Sequence, residues 1–373
     1  MAGRLSPEHM KAPTFCFYVS DYGNGHAARC IAIIRRISEE WGGARIYVKA
    51  AGPFSFLKDS LASYPGCVVI ETQNDIGVVL QPGQPVVDPA GTRDLLTDWV
   101  ASWDAYISSE ERFCREHAVD CIISDIAPQP FLVADALGIP GIAISNFTWH
   151  LIFASLYGDT HETRELARAY GCCDRALMLP FHEPMEVFPN RKEIGLVSRE
   201  VTVDRETLRR SRGVLPEETL IFFNCGAEMP DPLKQTIREA RIPGLRILVS
   251  SHLLFPEEHI ISIPDGEMET QNYLAACDLI VSKCGYSTIS EAVRAGVPLL
   301  LYRREGFAED AYLIDSVTSE GFGRERSWDA LVAGEWLFDG AERKADKSTH
   351  MRGGTISFND ADDILSLLHE VVQ

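Results

Sequence analysis

The sequence lacks the cysteine pairs that hold zinc or cross-link a small secreted domain. Its ten cysteines are scattered with no C-x-x-C spacing, and Cys16, Cys121, Cys225 and Cys277 lie inside apolar, strand-like runs. The adjacent Cys172 and Cys173 read as loop residues. A zinc ribbon and a disulfide framework are therefore not expected, and a reduced, cytoplasmic protein is. No apolar stretch approaches the roughly 20 residues of a membrane span. The first residues, MAGRLSPEHMKAP, carry charges but no apolar core of the kind a secretory signal needs. Basic residues are not in excess: the formal net charge is −19, which argues against a general nucleic-acid binder and leaves room only for a local basic pocket. There is no G-x-x-x-x-G-K-[ST] loop, so phosphorylation through a P-loop is not expected.

What is present is a chain of 373 residues, 46% hydrophobic and 24% charged, ordinary for a globular protein and longer than one core usually spans. Apolar runs alternate with amphipathic stretches. TFCFYV (14–19), ARIYVKA (44–50), CVVIET (67–72), CIIS (121–124) and GIAIS (141–145) read as buried strands. The same rhythm returns in TLIFFNC (219–225), RILVSS (246–251), HIISI (259–263), DLIVSK (278–283) and PLLLYR (298–303). HAARCIAIIRRISEEW and RDLLTDWVASWDAYISSEERFCREH, between the early strands, read as single helices. Continuous apolar strands alternating with helices imply parallel sheets covered on both faces. The expected division is an α/β domain over 1–185, a second over 186–355, and a terminal helix over 356–373, capped by Asn359 or Asp360. The join falls in the proline-rich, charged segment 179–193, and the Gly-rich, charged residues from about 335 to 355 are expected to form a mobile loop.

Two loops carry the chemistry. In FYVSDYGNGHAAR (17–29) a strand runs through Gly23 and Gly25 into a helix that begins near His26. A glycine turn before a helix N-terminus suits an anion, because free N–H groups and the helix dipole point at it. Gly23, Gly25 and Ala28 also satisfy G-x-G-x-x-G/A. The ribose-binding acid expected about 20 residues later is missing, however, since the second strand ends Val48-Lys49-Ala50-Ala51. That disfavours an NAD(P)-dependent oxidoreductase. A tight turn alone explains the glycines but not the histidine. A His at a helix N-terminus is held neutral and is a candidate general base. Asp125, after CIIS, falls on the same sheet edge and is a candidate to orient it; the bland readings are a loop His and a helix-capping Asp.

The second loop is VSKCGYSTISEAVRAGVPLLLYRREGFAEDAYL (281–313). A strand ends at Lys283, a glycine follows, and Ser287 and Thr288 open a helix, again an anion site. Glu291, a turn further on, suits a vicinal diol such as ribose. The bland alternative is N-capping by these hydroxyls, with Glu291 closing a capping box from Thr288. Glu309 and Asp310 follow the next strand, on the ligand edge.

SKCGYSTISEA resembles the nucleotide-sugar signature of GT-B glycosyltransferases, H-C-G-W-N-S-x-x-E in plant-type enzymes, and SDYGNGHAAR resembles their G-x-G-H loop. The match looks closer still to the glycosyltransferase-like N-terminal region of L-arabinokinases. That region has segments similar to Ser124-Asp125-Ile126-Ala127-Pro128, Ser145-Asn146-Phe147-Thr148-Trp149 and Arg303 to Glu309. The resemblance runs from about 14 to 320. It implies two Rossmann-like domains with parallel sheets facing across a cleft, and a C-terminal helix crossing back. By the same resemblance Gly285, Ser287 and Thr288 hold a diphosphate, Glu291 the ribose, and Glu309 and Asp310 the donor sugar, while Gly226 lets the backbone approach the phosphates. Lys283, in place of the signature's His, and Arg303 would meet developing negative charge. His26 would be the acceptor's base, supported by Asp125, with Gly23, Gly25, Asn146, Trp149 and His150 on the acceptor side.

The expectation is thus an inverting, metal-independent glycosyltransferase. It takes a nucleoside-diphosphate sugar as co-substrate and a small-molecule acceptor, and needs no further cofactor, nucleic-acid partner or membrane span. A nucleotide-sugar hydrolase on the same fold, and a non-catalytic nucleotide-sugar-binding or regulatory module, are the alternatives. Trp99, Trp103, Phe147, Trp149 and Trp336 offer stacking surfaces, although aromatics at helical spacing usually belong to the core.

Overall fold

The computed structural model describes residues 12–224, 229–337 and 361–372. Within them the chain builds two all-parallel sheets. The first takes β1 (Thr14–Val19), β2 (Arg45–Lys49), β3 (Cys67–Ile70), β4 (Cys121–Asp125), β5 (Gly141–Ser145), β6 (Arg175–Met178) and β7 (Arg191–Glu193), in the order β3-β2-β1-β4-β5-β6-β7. The second takes β8 (Thr219–Asn224), β9 (Leu245–Val249), β10 (Ile260–Ser262), β11 (Leu279–Lys283), β12 (Leu299–Tyr302) and β13 (Gly323–Glu325), in the order β10-β9-β8-β11-β12-β13. Central strands such as β1 and β4 are buried at every residue, as strands covered by helices on both faces must be.

All ten strand expectations are met. β6, β7 and β13 are additional, and β7 carries the first sheet to Glu193, the end of the segment 179–193 in which the join is expected. One helix expectation fails. The segment 93–117 lies in two helices, Pro89–Ala101 and Trp103–Glu116, divided at Ser102, whose hydroxyl bonds back to the carbonyl of Trp99 at 2.6 Å. Trp99 and Trp103 still meet edge to face, at 5.3 Å.

The helix Asn24–Glu40 crosses from β1 to β2 and buries Ile33, Ile34 and Ile37 completely. Burial of each such side chain contributes roughly 1.5–3 kcal/mol. The helix start is set by Gly23, whose φ of +86° is a conformation that a residue with a Cβ adopts only under strain. The terminal helix, Asp362–Val371, returns to the first domain: Lys192 pairs with Asp363 at 3.1 Å, and His369 bonds to Glu40 at 2.8 Å and lies on Trp41. Its expected caps, Asn359 and Asp360, lie outside the described residues, as does most of the segment 335–355. Trp336, at the start of that segment, is fully buried against Phe223.

The two domains touch along their carboxyl edges. Arg35 of the first helix makes two hydrogen bonds to Glu269, at 2.6 and 3.2 Å. The turn at Pro85–Val87 pairs with Glu305 through two backbone hydrogen bonds, at 2.7 and 2.9 Å. Among the described residues no helix is long and apolar enough to cross a membrane, and every cysteine is a free thiol.

Candidate functional site

Parallel register assembles the first half of the site. Val19 lies beside Asp125 in the β1–β4 ladder, so the carboxylate stands where β1 hands over to the glycine loop. The loop turns back into the helix and brings His26 to it, with His26 Nδ1 2.8 Å from Asp125 Oδ1. Burial drives the His26 pKa down, the Asp125 charge opposes this, and the Arg29 charge adds to it; the net shift is downward. For Asp125 burial works to raise the pKa, but the Arg29 and then the His26 contributions outweigh it and hold the carboxyl at about 2. An ionised carboxylate only accepts hydrogen bonds, so the proton of the neutral imidazole sits on Nδ1 and Nε2 keeps its lone pair. This is the geometry of an oriented general base.

A third residue, not singled out from the sequence, completes the arrangement. Arg29, one turn along the helix, donates from Nε and from a terminal nitrogen to the two oxygens of Asp125. Its other terminal nitrogen donates to Asn146 Oδ1 at 2.7 Å. The amide of Asn146 then donates to Glu309 Oε1 of the second domain at 2.8 Å. A continuous polar chain thus runs from the candidate base, through the end of β5, to the opposite domain.

The second domain supplies a helix start. The helix Tyr286–Ala295 begins after Gly285 with no side-chain cap. The capping alternative therefore fails: Ser287 and Thr288 lie inside the first turn. The Ser287 hydroxyl donates to the carbonyl of Gly25 across the cleft, and Thr288 Oγ accepts from Asn224 at 3.2 Å. The helix at Asn24 likewise has no side-chain cap. Two uncapped helix N-termini, each carrying free N–H groups and partial positive charge, therefore meet at Gly25 and Ser287. Lys283 stands beside them, half-buried, its ammonium 6.0 Å from the Tyr22 ring. It has no ion-pair partner among the described residues. Burial and the nearby Arg304 charge lower its pKa to about 8.

Several of the expected site residues are engaged in contacts of their own. Arg303 turns out of the cleft and pairs with Glu325 at 3.0 Å, whereas its neighbour Arg304 is the buried cation. Arg304 bonds to both oxygens of Asp310 at 2.5 and 3.0 Å, donates to the Cys284 carbonyl at 2.9 Å, and lies on the Phe307 ring. Asp310 is fully buried in that pair and locks three loops together, so it does not face a sugar. Glu309 stays at the cleft; burial, opposed by Arg304, pushes its pKa up to about 7. Glu291 accepts from Arg199 Nε at 2.8 Å, and Arg199 also reaches the Met268 carbonyl and the Thr270 hydroxyl. This carboxylate is tied to the interdomain connection. Trp149 is fully buried and donates to Asp75 at 2.7 Å; it backs the rings of Tyr22 and Phe147 and does not line the acceptor side. Trp99, Trp103, Phe147 and Trp336 are core residues too. His150 is half-buried beside Trp149, its pKa lowered by burial. Gly226 lies outside the described residues.

The chain contains one D-x-D triplet, Asp360-Ala361-Asp362. Asp362 opens the terminal helix and faces Arg36 at 3.5 Å, at the other end of the first helix from His26. Among the described residues no group of three or more His, Cys, Asp or Glu is placed to hold a metal.

Two Rossmann-like domains facing across a cleft, with the terminal helix crossing back, make this the GT-B fold of glycosyltransferases. Solved structures agree over nearly the whole chain. The glycotransferase of kitacinnamycin matches with a TM-score of 0.64 at 15% identity, covering 98% of this chain and 100% of its own. UGT89C1 of Arabidopsis thaliana, complexed with quercetin, matches at 0.63 and 16%, covering 97% and 100%. UGT2 of Phytolacca americana, complexed with UDP-2fluoro-glucose and pterostilbene, matches at 0.64 and 13%, also covering 97% and 100%. In sequence, the chain is similar to L-arabinokinase of Arabidopsis thaliana, 26% identical over 331 residues, which is 86% of this chain and 31% of that protein. The chain thus spans about a third of the length of the curated relative it matches. No family model matches the chain.

Proposed function

We propose that the chain is an inverting glycosyltransferase that moves a sugar from a nucleoside diphosphate to a small-molecule acceptor. One observation carries this reading: the oriented His26–Asp125 pair stands beside two uncapped helix N-termini and Lys283, which has no ion-pair partner among the described residues. That is a base next to a site for a polyanion. His26 Nε2 takes the proton of the acceptor's hydroxyl. The acceptor oxygen bonds to the anomeric carbon from the face opposite the diphosphate. The bond from that carbon to the diphosphate oxygen breaks, and its electron pair leaves with the nucleotide. Negative charge on the leaving group is met by first-turn N–H groups of the helix Tyr286–Ala295 and by Lys283. With those donors present the reaction needs no divalent metal. Glu309, held near neutrality and bonded to Asn146, is the donor-sugar contact this geometry favours.

The sequence match to part of a kinase keeps a second reading in play, a nucleotide-sugar-binding module without turnover. Incubation with UDP-, dTDP-, GDP-, CDP- and ADP-sugars, with and without acceptor, separates the two when product stereochemistry is read by NMR. Transfer with inversion, lowered about 10²–10⁴-fold in His26→Ala while the nucleoside diphosphate still raises the melting temperature, supports the transferase. Retention at the anomeric carbon removes His26 from its role. Binding without product, in the native chain and the variant alike, favours the module, and product without acceptor favours the hydrolase.

A further inference from the structure

A His–Asp pair whose aspartate is otherwise free makes a stronger base than histidine alone, because the negative charge favours the imidazolium. The pair found here is arranged differently. Both oxygens of Asp125 are taken by Arg29 in a two-point contact, the geometry in which guanidinium binds carboxylate most firmly. Oδ2 also accepts from the Cys30 thiol at 3.3 Å. Arg29 is 2% exposed and Asp125 1%, so water does little to screen either charge. The other terminal contacts of Arg29 hold it still: Asn146 on one side, and the Tyr286 ring 5.2 Å from its guanidinium carbon on the other.

We propose that Arg29 is the third member of the His26–Asp125 unit, a positioning residue that neutralises Asp125 and holds His26 in its neutral form with Nε2 free to accept a proton. The assignment rests on His26 being the acceptor's base. Arg29 and His26 are three apart on one helix face, and an Arg29 terminal nitrogen lies 3.0 Å from His26 Nδ1. A proton added to His26 therefore creates a cation in contact with a cation. The other charged neighbours do not offset this. Lys283, from the end of β11, acts in the same direction. From the end of β5 the contacts are the uncharged Asn146 and the ring of Phe147, 5.8 Å from the imidazole. Glu309 bonds to Asn146 and acts on the charge of Arg29, with no contact to His26 among the described residues. Among the described residues Asp125 is the only carboxylate bonded to His26, and Arg29 shares it. A base held neutral in this way keeps transfer running on the acid side of neutrality, where an imidazole paired with an unshared aspartate is already protonated.

The test is a direct titration of His26 in the full chain by long-range proton–nitrogen NMR, assigned with His26→Gln, alongside the pH profile of transfer. The expected result is a His26 titration below the ordinary value of about 6.5. In Arg29→Met the titration should rise by roughly one unit or more, and the acid limb of kcat/KM should move by the same amount. Arg29→Lys, which keeps the charge, should leave the titration near its original place. A native His26 titrating above about 6.5 overturns the assignment without any variant, which covers the case in which Arg29→Met does not fold. So does an Arg29→Met protein whose titration is unmoved. If the titrations behave as expected and no transfer occurs at any pH, Arg29 keeps its electrostatic role and the transferase reading is what fails.

Discussion

At the carboxyl edge of the first sheet the polar groups of the site are joined to one another: His26 to Asp125, Asp125 to Arg29, Arg29 to Asn146. At the edge of the second sheet the polar groups divide into two sets. Arg304 with Asp310, and Arg199 with Glu291, form buried pairs, Arg304 also reaching Glu309 at 3.6 Å. Lys283 and the first-turn N–H groups after Gly285 have no partner among the described residues. The same α/β rhythm thus builds a preassembled edge, whose geometry is set before any substrate arrives, and an edge that keeps positive groups open. On the proposed reading the difference follows from the work of each edge: a base must be oriented in advance to act, whereas the positive groups would gain their partner when an anion binds. The closed pairs on the second edge hold its loops in place around the open groups.

That division is tested most severely by breaking a closed pair. Arg199→Met should leave Glu291 buried without its cation, a change that costs roughly 3–5 kcal/mol and shows as a large fall in the urea midpoint. The Thr270 and Met268 contacts go with it. Should Arg199→Met unfold at the native midpoint and instead lose nucleotide affinity, the pair would belong with the open groups and Glu291 would return to a ribose-binding role.

The open set is tested by Lys283→Met. Loss of a charged hydrogen bond, about 1.5–3 kcal/mol, should weaken nucleoside-diphosphate binding by about 10–100-fold and leave stability nearly unchanged. With the Lys283 pKa at about 8, native affinity should decline as pH rises past that value, and calorimetric titration of the variant should show no such decline. An affinity independent of Lys283 would move the anion away from this edge.

How much of this was legible in sequence follows from what each feature depends on. Most of the ten expected strands announced themselves because both faces are buried, as in β1, β4 and β5; β3 and β10, only partly buried, showed through their runs of Val and Ile. β7 (RKE) and β13 (GRE) did not, since they are short edge strands with exposed, charged residues, the composition that protects an edge from further pairing. His26 and Asp125 were legible because strand ends on one sheet edge must be neighbours. Arg29 was within reach of the same logic: three residues after His26, it shares that helix face. Arg303 and Arg304 are one residue apart after a strand end, where adjacent side chains point opposite ways, so the sequence alone does not say which of the two is the buried cation. The Arg199–Glu291 pair, 92 positions apart, has no local signal.

The subtlest probe is Glu309, which touches both edges. Its pKa, raised to about 7 by burial against the opposing pull of Arg304, makes the folded chain hold a proton that the unfolded chain releases near the ordinary glutamate value of about 4.3. Between those limits the folded state binds more protons, so this group's contribution to stability is fully present at low pH and declines as pH rises toward about 7. Asp125 acts oppositely. With its pKa held at about 2, its contribution is present above the ordinary aspartate range and is lost as pH falls toward 2. Glu309→Gln keeps an oxygen for the Asn146 amide and removes the titration. It should flatten the decline in unfolding free energy across pH 4.5–7, read from urea melts, by an amount on the order of 2 kcal/mol, with the acid limb below pH 4 unchanged. A slope between pH 4.5 and 7 that Glu309→Gln leaves as steep as in the native chain would move that titration to another buried acid. Glu183 and Asp75, both also raised to about 7 by burial, are the first to examine, and the coupling of the two edges through Asn146 would then carry no proton linkage.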